Sequence, residues 1–369
     1  PPVDILIEKG RITRMDTAMD KPVDIPTLDA AGRTLIPGLI DVHVHGAGGG
    51  DTSDGEGKSM EAMSTTLARL GITSFLATAM PRPEIANRHL EIAAGLAGHD
   101  LGGALLLGLH LEGPFISVEK RGGIQIPAIL PPTPEHLDQI LAVTGDKLRM
   151  MTIAPEIDGA LEVIRELARR DIIPSFGHSD ADFQQTQAGI EAGISHVTHL
   201  YNTMRVLHHR DPGPVPAIFE HPDVTVQIIC DGIHLHRDMV RYIYRQFGED
   251  RCVCITDGMR SIGMPEGRFI YYGQEFESID GAARYLDGTL IGTTLDLRQM
   301  MLNFMEFTGC TLESAVKAAS TNPARTLNLH DRKGSIEVGK DADLVLLDHD
   351  LSVWATLVNG RMVYQRETG

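Results

Sequence analysis

Apolar and polar positions alternate along this chain in two periods. Short runs rich in β-branched residues end in small or polar residues, and stretches with apolar residues at i, i+3 and i+4 follow them. Eight runs read as strands: 35–45, 73–78, 105–112, 148–155, 172–178, 196–202, 224–234 and 252–257. Helical periodicity marks 57–70, 85–96, 134–143, 160–170 and 237–247 between them. Eight strands alternating with helices predict an α/β fold, a (β/α)8 TIM barrel. An open doubly wound sheet is the alternative. It would gather polar residues at one crevice, whereas here they come from many strands.

The two ends break the alternation. Residues 4–15 read as a hairpin turning at Gly10, and 334–364 as short strands with Asn359-Gly360 as a hairpin turn. The expected division is a small β-sandwich domain from 1–36 and 334–369 and a catalytic barrel over 37–333. A β-rich insertion is expected over 266–285, within about 260–290.

Composition adds exclusions. The chain has 369 residues, 42% hydrophobic and 22% charged, with a formal net charge of −17. An acidic surface repels nucleic acid and anionic membranes, so neither is an expected partner. No apolar run reaches the length of a membrane span, and the first residues lack a basic-then-apolar signal pattern. Cys230, Cys252, Cys254 and Cys310 fit neither a disulfide framework nor a C-x-x-C site. They read as reduced thiols of a cytoplasmic protein.

The chemistry lies at the strand ends. His43 and His45 close the first strand, Glu112 the third, His178 the fifth, His234 the seventh and Asp257 the eighth, and His199 sits near the end of the sixth. A TIM barrel brings these ends to one face. His43 and His45 are two apart on a strand, so both rings share a face and can grip one ion. A Glu before Gly113-Pro114 is costly to bury unpaired; a salt bridge would satisfy it, and so would a metal. One carboxylate with two imidazoles is a common catalytic zinc set with a position left for water. Asp257 either caps a turn or takes a proton from such a water and passes it to a leaving amine. Arg210, after His208 and His209, suits an anionic group, or is a surface arginine.

These residues stand in segments that resemble the amidohydrolase superfamily, and within it the N-acetylglucosamine-6-phosphate deacetylase family. The segments are PGLIDVHVHG (37–46), HLEGPFIS (110–117), Gly177-His178-Ser179, THLYNTM (198–204), HHRDPG (208–213), DGIH (231–234), TDGM (256–259) and GSIEVGKDADLVLL (334–347). The resemblance implies a TIM barrel with a small β-sandwich, a homodimer, and metal on Glu112, His178 and His199. It implies Asp257 as general base, then acid. Asn202, Thr203 and Arg210 would hold a sugar phosphate, helped by His234, often across subunits; His209 is a further candidate contact. With His43 and His45 present, two ions bridged by Glu112 can be held; zinc comes first, with iron, manganese and cobalt as alternatives.

Two positions depart from the family. Ile124, in Gly122-Gly123-Ile124-Gln125, replaces a substrate-contacting His, a contact Gln125 can take over if the loop shifts. Asn202-Thr203-Met204 replaces Asn-Ala-Met. The expected reaction is deacetylation of N-acetylglucosamine 6-phosphate to glucosamine 6-phosphate and acetate. The alternatives are N-acetylgalactosamine 6-phosphate, a non-phosphorylated N-acyl compound, or a catalytically silent scaffold that binds a partner.

Overall fold

The computed structural model describes residues 3–20 and 26–367. Residues 1–2, 21–25 and 368–369, assigned above to the small domain, lie outside them. Eight parallel strands form one sheet in sequence order: β1 (Leu39–Val44), β2 (Ile72–Ala79), β3 (Leu105–Glu112), β4 (Leu148–Ile153), β5 (Ile173–Phe176), β6 (His196–Val197), β7 (Thr225–Ile228) and β8 (Cys252–Cys254). A helix follows each strand before the next or, after β8, packs over it: Gly57–Arg69, Arg88–Leu96, Pro134–Thr144, Ala160–Arg169, Phe183–Ala192, Pro214–Glu220, Arg237–Phe247 and Leu297–Thr308. Strands covered on their outer face and packed within read as continuous apolar runs, and β2 is buried at all eight positions. The sheet is a nearly closed (β/α)8 barrel. The gap between β1 and β8 is spanned by a parallel bridge from Val44 to Gly258 and by Asp41, which accepts from Thr256 Oγ1 at 2.6 Å.

The expected strand 35–45 is two strands. Thr34–Pro37 pairs antiparallel with Leu344–Leu347, and β1 pairs parallel with β2. Gly38 makes the change of sheet because its backbone lies against Thr73, where a Cβ would stand 2.1 Å from Oγ1. The expected strands ending at His178, Asn202 and His234 are also too long. They stop at Phe176, Val197 and Ile228; beyond the first two, His178 and His199 take left-handed φ values of 48° and 26°, which no strand accommodates. The expected helix 85–96 begins at Arg88, since Ala86 and Asn87 are left-handed. The helix Phe183–Ala192 gave a faint pattern because its buried face is Thr186, Gly189 and Ala192. Gly189 is required there: a Cβ would lie 2.7 Å from Pro155.

The chain ends form the small domain. A four-stranded antiparallel sheet runs Arg361–Gln365, Val353–Val358, Leu344–Leu347, Thr34–Pro37. The hairpin Asp4–Glu8 with Arg11–Asp16 lies over it, around Ile12, Leu344, Leu346, Trp354 and Leu357. The insertion is a meander of four strands, Gly267–Tyr271, Gln274–Ile279, Ala282–Tyr285 and Leu290–Thr293, running past the expected end near 290. Among the described residues no helix is long and apolar enough to cross a membrane.

One buried histidine makes acid stability testable. His89 is 1% exposed and its Nε2–H donates to Met80 O at 2.9 Å. Burial, aided by the Arg82 charge, pushes its pKa down to about 4. A folded-state value below the unfolded one gives stability that is present above pH 6.5 and is lost as pH falls toward 4, by up to about 3 kcal/mol. His89→Gln keeps a donor and does not titrate. Its urea midpoint is expected to shift less between pH 7 and pH 5 than the wild type's; equal shifts would remove His89 from the account.

Candidate active site

Two groups of side chains meet at the C-terminal ends of the strands. Glu112 stands at the end of β3, and its Oε1 lies 2.9 Å from His178 Nε2 and 2.9 Å from His199 Nε2. Its other oxygen lies 3.2 Å from His45 Nε2. Asp257 Oδ1 lies 3.2 Å from His45 Nε2 and 3.4 Å from His43 Nε2. Glu112 thus faces both groups. His43, His45 and Asp257 come within metal-ligating distance of one another, as do Glu112, His178 and His199, and all six are buried.

Local backbone aims these groups. His178, His199, Thr203 and Asp257 are all left-handed, with φ from 26° to 52°. Such conformations cost free energy and persist where the surroundings over-determine them. Asp257 is pinned from both sides: its N–H donates to His43 O at 2.9 Å, and its carbonyl accepts from Thr293 N at 3.0 Å. The imidazoles are turned by oxygens on their Nδ1 side. Gln227 Oε1 lies 2.9 Å from His43 Nδ1, Lys120 O 2.8 Å from His178 Nδ1, and the Tyr271 hydroxyl 2.9 Å from His45 Nδ1.

This donor set fits a divalent cation. A carbonyl oxygen only accepts, so Lys120 fixes the His178 proton on Nδ1 and leaves a lone pair on Nε2. That lone pair faces a carboxylate oxygen and, at 3.1 Å, His199 Nε2. Lone pairs so arranged repel unless positive charge lies among them. His43 Nε2 is buried with no hydrogen-bond partner among the described residues, and it points between Glu112 and Asp257. The electrostatics agree. Burial alone would raise the Glu112 carboxyl, but the imidazoles around it, His43 first, outweigh burial and hold the group well below the usual range. Asp257 is likewise lowered against burial, by His43 and His45. Burial disfavours the charged His45 ring, yet Asp257 and Glu112 raise it to about 10. A bound cation would displace that proton.

The pocket above these groups has a volume of about 200 Å³. Glu112, His178, His199, His45 and Asp257 line it, together with Asn202, Thr203 and His234. His43 sits beneath. Asp231, its side chain fully buried, holds His234 Nδ1 at 2.6 Å. Ile124 is on the wall with Met80, Tyr271, Leu290 and Ile291. Three expected contacts are elsewhere. Arg210 and His209 are exposed on the loop after Asn202, outside this lining, and Gln125 is half-buried outside it. A larger cleft of about 630 Å³, lined by Glu119, Glu156, Asp180 and Arg205, contains none of the metal-ligating residues.

The sequence reading missed Gln227 and Tyr271, and took Asp231 only as part of the DGIH segment, without a role. Gln227 carried a signal, a lone amide inside the apolar run VTVQIIC. Tyr271 carried none beyond its β-rich segment.

Known proteins resemble this chain in sequence and fold. The sequence matches the amidohydrolase family over residues 34–363. The chain is 36% identical to N-acetylglucosamine-6-phosphate deacetylase of Bacillus subtilis, across 97% of this chain and 92% of that protein. It is 34% identical to N-acetylgalactosamine-6-phosphate deacetylase of Escherichia coli O157:H7, across 93% and 91%. An aspartate-to-alanine variant of N-acetyl-D-glucosamine-6-phosphate deacetylase from Mycobacterium smegmatis, in complex with N-acetyl-D-glucosamine-6-phosphate, superposes with a TM-score of 0.90. That match is at 33% identity and covers 97% of this chain and 94% of that one. With identity at this level over nearly the whole length, and one barrel in common, the chain belongs to the amidohydrolase family, in its N-acetylglucosamine-6-phosphate deacetylase branch.

Proposed function

We propose that this protein hydrolyses N-acetylglucosamine 6-phosphate to glucosamine 6-phosphate and acetate. The observation that carries the reading is Asp257, 3.2 Å from His45 and 3.4 Å from His43, lying in the same pocket as the Glu112, His178 and His199 set.

Glu112, His178 and His199 would hold one cation. His43, His45 and Asp257 would hold a second, with Glu112 between them. Histidine and carboxylate donors suit zinc first, and also iron, manganese or cobalt. When bound, the cation lowers the pKa of a water to roughly 7 and polarises the acyl oxygen. Asp257 takes the proton from the attacking water as its oxygen bonds to the acyl carbon. As the carbon–nitrogen bond breaks, the Asp257 carboxyl gives that proton to the nitrogen. The remaining proton of the water passes from the new carboxylic acid to the amine, so acetate and an ammonium leave and Asp257 is again ionised. His234, its Nδ1 side held by Asp231, presents its other nitrogen to the sugar phosphate beside Asn202 and Thr203.

Arg210 is assigned to the phosphate and His209 to the same anion. Both are exposed on their own chain, next to the exposed apolar Val206 and Leu207. That arrangement supports a homodimer in which this loop completes a neighbouring site. Gln125, near the wall that Ile124 occupies, is assigned to the sugar. Residues 37–333 form the catalytic unit, and 1–36 with 334–369 the small domain. Four unpaired cysteines support a cytoplasmic location.

The experiment is acetate release from N-acetylglucosamine 6-phosphate, its galactosamine epimer and unphosphorylated N-acetylglucosamine. Turnover is expected fastest with the first. A preference for the epimer would correct the substrate, and no turnover of any would end the reading. Arg210→Ala is expected to raise KM for the phosphorylated sugar by about tenfold to a hundredfold, the worth of one charge-assisted hydrogen bond. An unchanged KM would release Arg210 from the phosphate.

A further inference from the structure

The insertion reaches the metal-ligating set with one side chain. Tyr271 ends the strand Gly267–Tyr271, and its hydroxyl meets His45 Nδ1 at 2.9 Å. The two rings stand edge to face, with centroids 5.7 Å apart. The next residue anchors the hairpin tip. The Tyr272 hydroxyl accepts from Met80 N and donates to Met80 O, both at 3.0 Å. Met80 directly follows β2, so the tip is fastened to the barrel.

The turn itself is unusual. Tyr272 and Gly273 connect the two strands with φ values of 48° and 78°. Two-residue turns of this kind favour Asn-Gly, because both residues need positive φ. A bulky tyrosine at such a φ is an outlier that costs on the order of 1–3 kcal/mol. The double bond to Met80 holds it there. Tyr271 has little freedom either: it is 4% exposed and packed with Met80, Ile116, Ile124 and Tyr285. A strained, doubly fastened tip thus presents one phenol to one ligand.

With its oxygen accepting from Nδ1–H, that phenol sets how His45 is used. An imidazole binds a cation through one nitrogen only when its proton is on the other, and a partner for the protonated nitrogen fixes both tautomer and ring angle. Gln227 does this for His43 from β7, and the Lys120 carbonyl does it for His178. For His45 the partner comes from the insertion. We propose that Tyr271 is a positioning residue: it holds His45 with Nδ1 protonated and Nε2 toward the cation, so the insertion hairpin sets the occupancy of the His43–His45–Asp257 site. The Glu112–His178–His199 site does not depend on it. This rests on the two-cation reading above.

The test is equilibrium dialysis of chelator-stripped protein against buffered free Zn²⁺, with bound metal measured for wild type and Tyr271→Phe. Wild type is expected to bind two ions. The variant keeps the ring and loses only the hydroxyl. Its tighter ion is expected to bind unchanged, which also shows an intact barrel, while its second ion weakens by about tenfold to a hundredfold. Two ions bound by the variant with wild-type affinities would overturn the role of Tyr271 alone. Equal weakening of both ions would make Tyr271 a general structural support, and overturn it too. A single ion in the wild type would instead bring down the two-cation reading, and this proposal with it.

Discussion

Asp257→Asn is expected to lower kcat by roughly 10²–10⁴, the usual worth of a positioned general base. The side chain keeps its size, and the backbone bonds from Asp257 N to His43 O and from Thr293 N to Asp257 O do not involve the carboxylate. What is lost is the proton acceptor, ionised here because His43 and His45 outweigh burial. The ion on Glu112, His178 and His199 should remain, since Asp257 belongs to the other group. Steady-state acetate release with elemental analysis checks both halves. A kcat within tenfold of wild type would take the proton-transfer role away from Asp257.

Glu112→Gln is expected to do more. Its carboxylate contacts His178 and His199 at 2.9 Å through one oxygen and His45 at 3.2 Å through the other. An amide offers one weaker acceptor and, in the other position, donors aimed at the imidazoles. Both cation groups lose their shared anion, so metal content and turnover should fall together, beyond the roughly 10²–10⁴ expected for loss of the base alone. His45 is left with one counter-ion in place of two, Asp257 at 3.2 Å, so the unfolding free energy of the metal-free protein should fall as well. Metal analysis, acetate release and urea unfolding test this; a variant with full metal and turnover would show that Glu112 is not the bridge.

Much of the barrel was legible because its period and its punctuation are local. A helix face such as Ala160–Arg169 buries Ala160, Val163, Ile164 and Leu167, and that spacing is written in the sequence. His43, Glu112, His178, His199 and Asp257 were legible for a related reason, since each polar residue breaks an apolar run where a barrel strand must end. Contacts made only by closure were not legible. Tyr271 meets His45 across 226 positions, and Gln227 meets His43 across 184. No periodicity encodes such meetings. The change of sheet at Gly38 was hidden because strands on both sides of it are equally apolar. Arg210 shows the opposite limit: its residue type suits phosphate, yet its own chain leaves it exposed, outside the pocket lining.

The seam at Gly38 bears on any attempt to trim this protein. Thr34–Pro37 is the outermost strand beside Leu344–Leu347, the run LVLL. A shortened chain beginning at the first barrel strand would strip that cover and leave four apolar residues with unpaired backbone groups along a free edge. Such edges recruit other chains. A chain cut only at its start is therefore expected to collect in inclusion bodies, even though each metal-ligating residue would still be present in it.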